Sequence, residues 1–296
     1  MNYALQLSCS NPDVIELLLK HGAKGDSYDD IWGTTLQRAA SAGNVKSAAF
    51  LLLARAKINA PGRLSGSRPI MAAVCAGQSS MVEYLLSQGG QIENQTTAEG
   101  NALQTAAYRG SLPMIDMILN SGFHINSFVP PYGTALVLAI QGGHGNIAEH
   151  LIKNGADVNI SLPQGTALIL AVQWRRADTA DHLIKHGADV NINLPQGNAL
   201  YFAAILGFQD ITKLLVERGA NVNAECGEYG TALQAAVARG HNLIALFLID
   251  NNADINIYNG RHGSALQAAV DEHQEPLEEL LLNSGARRRI WSLGFL

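Results

Sequence analysis

The side chains able to do chemistry are scattered along this 296-residue chain, and their spacing decides what each could be used for. His182 and His186 are four apart, the separation that puts two imidazoles on one face of a helix as a start to a metal site. His186 directly precedes Gly187, where exposed polar residues are usual, and no further ligand lies nearby, so no metal is expected. His262, Asp271 and Glu272 combine an imidazole with two carboxylates and form the alternative catalytic set, as acid and base. Cys9, Cys75 and Cys226 are far apart and fit neither a zinc spacing nor a disulfide framework, which suits a reducing compartment. The chain has no Walker A loop, no G-x-S-x-G elbow and no H-E-x-x-H pair. The glycines of QGGHGN at 141–146 fall between two helical patterns rather than between a strand and a helix, which disfavours phosphate binding. No catalytic residue and no cofactor is therefore assigned.

Composition bounds the remaining possibilities. Hydrophobic residues make up 47% and charged ones 15%, enough apolar surface for a continuous core. A net charge of -5 offers no cationic field for a phosphate backbone or an anionic membrane, so neither nucleic acid nor a membrane is an expected partner. The start MNYALQLSCS lacks a signal peptide's basic and long apolar regions, and the apolar run at 48–54 is too short to span a bilayer. A soluble protein of the cytoplasm or nucleus, acting as a monomer, is the expectation.

The elements that would position any site repeat along the chain. GTALVLA at 133–139, GTALILA at 165–171, GTALQAA at 230–236 and GSALQAA at 263–269 share one pattern, with GNALQTAA at 100–107 and TTLQRAA at 34–40. Anchoring each copy on its aliphatic residue gives Leu5, Leu36, Ile70, Leu103, Leu136, Leu168, Leu200, Leu233 and Leu266, spaced by 31, 34, 33, 33, 32, 32, 33 and 33. Two residues before the anchor stands a helix-capping side chain: Thr34, Asn101, Thr134, Thr166, Asn198, Thr231 or Ser264. Seven after it comes a glycine suited to a left-handed turn, as at Gly43, Gly77, Gly110, Gly143, Gly207 and Gly240. A second helix follows, with apolar pairs such as Leu51-Leu52, Leu85-Leu86 and Leu183-Ile184 in a stripe that must be buried. A second glycine then leads into an A-D-V-N stretch, expected to be extended and to form a projecting hairpin finger. The prediction is an all-α solenoid of about nine helix-turn-helix units with such fingers, because one unit alone cannot bury a sufficient core.

This pattern resembles the ankyrin-repeat family, whose repeat runs capping residue, Pro, Leu, His, x, Ala, then Gly, then Leu-Leu and Gly-Ala-Asp-x-Asn. The likeness spans Asn2 to about Arg287. Ala replaces the Pro in most copies, Pro69 alone keeping it, and Gln37, Gln104, Gln234 and Gln267 replace the His, a variant similar to fungal ankyrin arrays. The repeat domain is assigned to 1–287, its first unit two residues short and degenerate, and 288–296 to a C-terminal capping tail carrying Ile290, Trp291, Leu293 and Phe295. The resemblance implies a non-enzymatic scaffold that binds a protein or peptide in a concave groove. It also implies that His144 and His241, just after their turn glycines, hydrogen bond within the turn.

Ankyrin repeats bind through finger tips and first-helix ends. Those positions hold Trp32, Tyr132, Tyr229 and His262 at the fingers, and Tyr108, Arg109, Trp174, Leu206, Arg239 and Glu272 at the helix ends. Arg175 takes the place of a turn glycine, as do Arg55, Asn252 and His273. Beside the short LPQG fingers at 162–165 and 194–197, Trp174 and Leu206 are expected to edge an apolar notch with Arg109 and Arg239. The binding set is thus Trp32, Tyr108, Arg109, Tyr132, Trp174, Arg175, Leu206, Tyr229 and Arg239, suited to a segment mixing apolar and acidic residues. Two alternatives stand beside this: an enzyme or small-molecule binder using the notch, and the sensor portion of a larger signalling protein.

Overall fold

A computed structural model describes residues 2–29, 33–61, 68–92 and 100–288, so Trp32 and the tail residues from 289 onward lie outside the described residues. The chain forms two compact units, Met1–Ala156 and Asp157–Leu296. Unit 1 pairs α1 (Asn2–Leu7) with α2 (Pro12–Lys20), α3 (Thr35–Ser41) with α4 (Val45–Leu53), α5 (Pro69–Cys75) with α6 (Ser79–Ser87), α7 (Ala102–Tyr108) with α8 (Leu112–Asn120), and α9 (Ala135–Gly142) with α10 (Gly145–Lys153). Unit 2 pairs α11 (Ala167–Gln173) with α12 (Ala177–Lys185), α13 (Ala199–Ile205) with α14 (Gln209–Glu217), α15 (Ala232–Ala238) with α16 (Asn242–Asp250), and α17 (Ala265–Asp271) with α18 (Glu275–Asn283).

Within each unit the first helices pack on first helices and the second on second, as in α3, α5 and α7 or α11, α13 and α15, giving the two layers of an all-α repeat solenoid. All nine anchors are buried, and Leu51, Leu85, Ile118, Leu151, Leu183, Leu215, Leu248 and Leu281 of the second helices are fully so. The apolar pairs are not buried uniformly: the second members Leu52, Leu86, Leu119, Ile184 and Ile249 are half-exposed, because one residue on turns the side chain toward the helix flank.

The capping residues do what their position predicts. Thr34, Asn101, Thr134, Thr166, Asn198, Thr231 and Ser264 each accept the N–H three residues on. Glutamines at the position where the family has histidine reach into the next finger in three repeats. Gln104 Oε1 accepts Asn101 N–H at 2.7 Å and its Nε2 donates to Gly133 O of the next finger at 2.5 Å. Gln234 likewise donates to Gly263 O at 3.0 Å, and Gln6 to Gly33 O at 3.2 Å.

Fingers form as expected, with the pair β1 (Tyr28–Asp29) and β2 (Gly33–Thr34) antiparallel and single bridges at Val129–Gly133, Leu162–Gly165 and Cys226–Gly230. The A-D-V-N stretch is not extended, however. Asp157 Oδ1 accepts Asn159 N–H at 2.9 Å, and Asp189 treats Asn191 in the same way at 2.8 Å, which closes a turn through a side chain. The asparagine then links repeats: Asn159 Nδ2 donates to Gly187 O and its Oδ1 accepts Asp189 N–H, both at 2.9 Å.

Candidate binding surface

From the second repeat on, the residue six after the anchor ends the first helix. Arg109 caps α7, Trp174 α11, Leu206 α13, Arg239 α15 and Glu272 α17. The next residue closes the turn in a left-handed conformation, with φ +75° at Gly110 and +76° at Gly207. Arg175 and His273 replace this glycine, whereas Arg55 and Asn252 replace the one that follows the second helix; among the described residues these four are the non-glycine residues with positive φ, at 54°, 56°, 62° and 65°. The turn at Arg175 is not rebuilt: Arg175 N–H reaches Val172 O at 2.9 Å and Arg176 N–H reaches Ala171 O at 2.8 Å, as around Gly207.

His144 and His241 correct the expectation of a bond inside their own turn. His144 Nε2 meets Tyr108 O at 2.9 Å and His241 Nε2 meets Ile205 O at 3.2 Å, so each ring reaches back to the preceding repeat. In doing so the ring covers that repeat's turn glycine, where a Cβ on Gly110 or Gly207 would fall 2.5 or 2.6 Å from the imidazole. Glycine is thus required at these sites by φ and by space together. Phe208 occupies the same place after its own turn glycine, and Arg175 of the preceding repeat lays its guanidinium 5.2 Å from the Phe208 ring centroid. Sequence reasoning singled out Arg175 but missed Phe208. The signal was its alignment with His144 and His241.

In unit 1, Tyr108 ends α7 and is exposed, Arg109 beside it is exposed, and Tyr132 is half-buried in its finger. In unit 2, Trp174 is half-buried, while Arg175, Leu206 and Arg239 are exposed. Tyr229 departs from expectation: it is only 7% exposed, because Arg239 lies over one side of the ring, 5.5 Å from its centroid, and His262 stacks on it at 5.9 Å and 14°. Tyr229 therefore supports a charge rather than offering its own face to a partner. A cavity of about 390 Å³ in unit 2 is lined by residues including Tyr258, His262, Ser264, Leu266 and Arg287, and not by the Trp174, Arg175 and Leu206 of the expected notch.

The alternative catalytic set does come together. His262 Nδ1 is 2.8 Å from Asp271 Oδ2 and Nε2 is 3.4 Å from Glu272 Oε1, with the histidine side chain 9% exposed. Nδ1 is hydrogen bonded to one of the chain's own carboxylates and Nε2 lies beside a second at ion-pair distance without a hydrogen bond, which suits a clamp better than an acid or base presented to a substrate. Hydrogen bonds from His262 and Gln267 hold the Asp271 carboxyl below its ordinary value. His182 and His186 turn back onto their own helix, Nδ1 meeting Asp178 O at 3.0 Å and His182 O at 2.9 Å. Among the described residues no group of three His, Cys, Asp or Glu is placed to hold a metal ion, and no helix is long and apolar enough to cross a membrane.

Comparison with family models gives matches to ankyrin repeats (3 copies) over residues 36–129, 70–162, 130–194 and 200–289. Comparison with curated proteins gives no match.

Proposed function

Because the chain belongs to the ankyrin-repeat family, whose repeats are generally protein–protein interaction modules, we propose that it is a non-enzymatic scaffold holding a protein or peptide across its first-helix ends. The observation that carries this reading is the row of α11, α13 and α15 in unit 2. There Arg175 is fixed over Phe208 and Arg239 over Tyr229, with Leu206 44% exposed on the helix between them. Each cation rests on an aromatic face and is directed by it, so less side-chain freedom is lost when a partner binds. An apolar residue between two cations favours a segment mixing apolar and acidic residues.

The test is co-purification of the full chain with its partners, identified by mass spectrometry, beside a variant carrying R175A, L206A and R239A. The expected result is a partner recovered with the unsubstituted protein and lost, or reduced at least tenfold, with the variant. Equal recovery by both would overturn this placement of the surface.

A further inference from the structure

The first-helix ends of unit 2 carry charges of both signs in a fixed order. Arg175 follows α11, Leu206 ends α13 and Arg239 ends α15, whereas Asp271 and Glu272 end α17. Adjacent opposite charges that served only stability would pair with one another. No ion pair joins Arg239 to Asp271 or Glu272; each is held by its own device. Arg239 lies over Tyr229, Asp271 receives His262 at 2.8 Å and Gln267 Nε2 at 2.7 Å, and Glu272 faces the other side of the same imidazole. The stack of Tyr229 on His262 connects the two devices, so the cation and the carboxylates are presented from one contiguous set of contacts. All three charged groups remain exposed.

We infer that this row reads a protein segment in extended conformation with a specific charge order: acidic opposite Arg175, apolar opposite Leu206, acidic opposite Arg239 and basic opposite Asp271 and Glu272. Packed helices stand about 8–10 Å apart, and an extended chain advances about 3.3 Å per residue, so the four positions recur at every third residue of the ligand. A basic residue moved opposite Arg239 meets a like charge, and an acidic one opposite Glu272 does too, so the surface rejects the wrong order as well as accepting the right one. This inference rests on the scaffold reading above and adds the chemistry of the partner.

The probes are fluorescein-labelled 16-residue peptides of identical composition, read by anisotropy against the full chain at low salt. The matched peptide carries Asp, Leu, Asp and Arg at every third position, and the mismatched one Asp, Leu, Arg and Asp. Each is also made in reversed sequence, so that either chain direction is covered. The matched order in one direction is expected to bind at least tenfold more tightly than its mismatched counterpart. The variant R239E/D271K/E272K should reverse that preference. Loss of the His262 contacts could unfold the last repeat in that variant, so E272K alone is a second test. It leaves Asp271 in place and adds a cation at a helix C-terminus, where it is tolerated, and it should weaken the matched peptide at least fivefold. Equal binding of both orders, abolished by R175A/L206A/R239A, would overturn the charge order and leave the scaffold reading standing. Absence of binding by all four peptides would overturn the extended-segment proposal, with the co-purification deciding the scaffold reading separately.

Discussion

The guanidinium of Arg175 lies 5.2 Å from the centroid of the Phe208 ring, at a junction where the next repeat places Gly207 under His241. The two replacements are matched. A histidine ring that reaches back to a helix carbonyl leaves no room for a side chain on the turn residue before it. A phenylalanine has no ring N–H to send to that carbonyl, and here the turn residue supplies the contact instead. Left-handed backbone costs a non-glycine residue about 1 kcal/mol, and an exposed guanidinium on the half-buried Phe208 ring returns about 1 kcal/mol. Arg175→Gly should therefore leave stability within about 0.5 kcal/mol of the unsubstituted chain, while Arg175→Ala keeps the strain and loses the contact. The expected order in urea unfolding puts Arg175→Ala lowest, about 1 kcal/mol below Arg175→Gly. An alanine variant as stable as the parent would mean that the ring contact contributes nothing.

Glycine is demanded differently at the two turns of a repeat. Gly187 has φ +89° with nothing within 4 Å of a Cβ, whereas Gly207 has φ +76° and the His241 ring 2.6 Å away. Gly187→Ala should cost only the backbone strain, about 1 kcal/mol. Gly207→Ala should displace His241 and break its bond to Ile205 O as well, for a total of about 2–3 kcal/mol. Paired chemical denaturation of the two variants would check this, and similar losses at both sites would contradict the packing at Gly207.

Much of this architecture was legible because it rests on short-range chemistry. The anchors, the capping residues and the left-handed positions are local requirements, and Arg55, Arg175, Asn252 and His273 could be placed in the turns without knowing what lay beside them. Contacts between repeats were harder to read. His144 and His241 look like turn residues in the sequence, but their partners are thirty-six residues earlier. Tyr229 looked like a finger-tip aromatic, yet its burial comes from Arg239 of its own repeat and His262 of the next. A period of about 33 residues fixes which repeat follows which, but not which way a side chain leans across the junction.

The glutamine bridge offers a comparison of one residue type in two settings. Gln104 is fully buried and satisfies both Asn101 N–H and Gly133 O. Gln267 is exposed at the equivalent position and donates instead to Asp271 Oδ1 at 2.7 Å. Gln104→Leu would strand two buried backbone groups and should cost about 2–4 kcal/mol. Gln267→Leu removes a solvated contact and should cost about 0.5 kcal/mol or less. Thermal unfolding of both variants tests the difference, and a Gln104→Leu chain as stable as Gln267→Leu would show that the bridge does not contribute to folding.

Asp181 gives the chain a pH dependence whose sign can be worked out. Its carboxylate receives Lys185 Nζ at 2.6 Å, one turn along α12, and Arg218 of the following repeat at 2.6 Å. The hydrogen bond from Lys185, followed by the charge of Arg218, holds the carboxyl below its ordinary value. A depressed carboxyl binds fewer protons folded than unfolded, so its contribution is complete above the unfolded value near about 4 and disappears as pH falls through the lower folded value. Side chains partly open to water limit the network to about 1 kcal/mol. Asp181→Asn should therefore lower stability by about 1 kcal/mol at pH 7, with the gap to the parent chain closing as pH falls below the unfolded value of about 4 and through the lower folded one. Added salt at pH 7 should narrow the same gap by screening. Urea unfolding at a series of pH values would measure it, and a gap that stays constant across the acid range would exclude the ion pairs as its source.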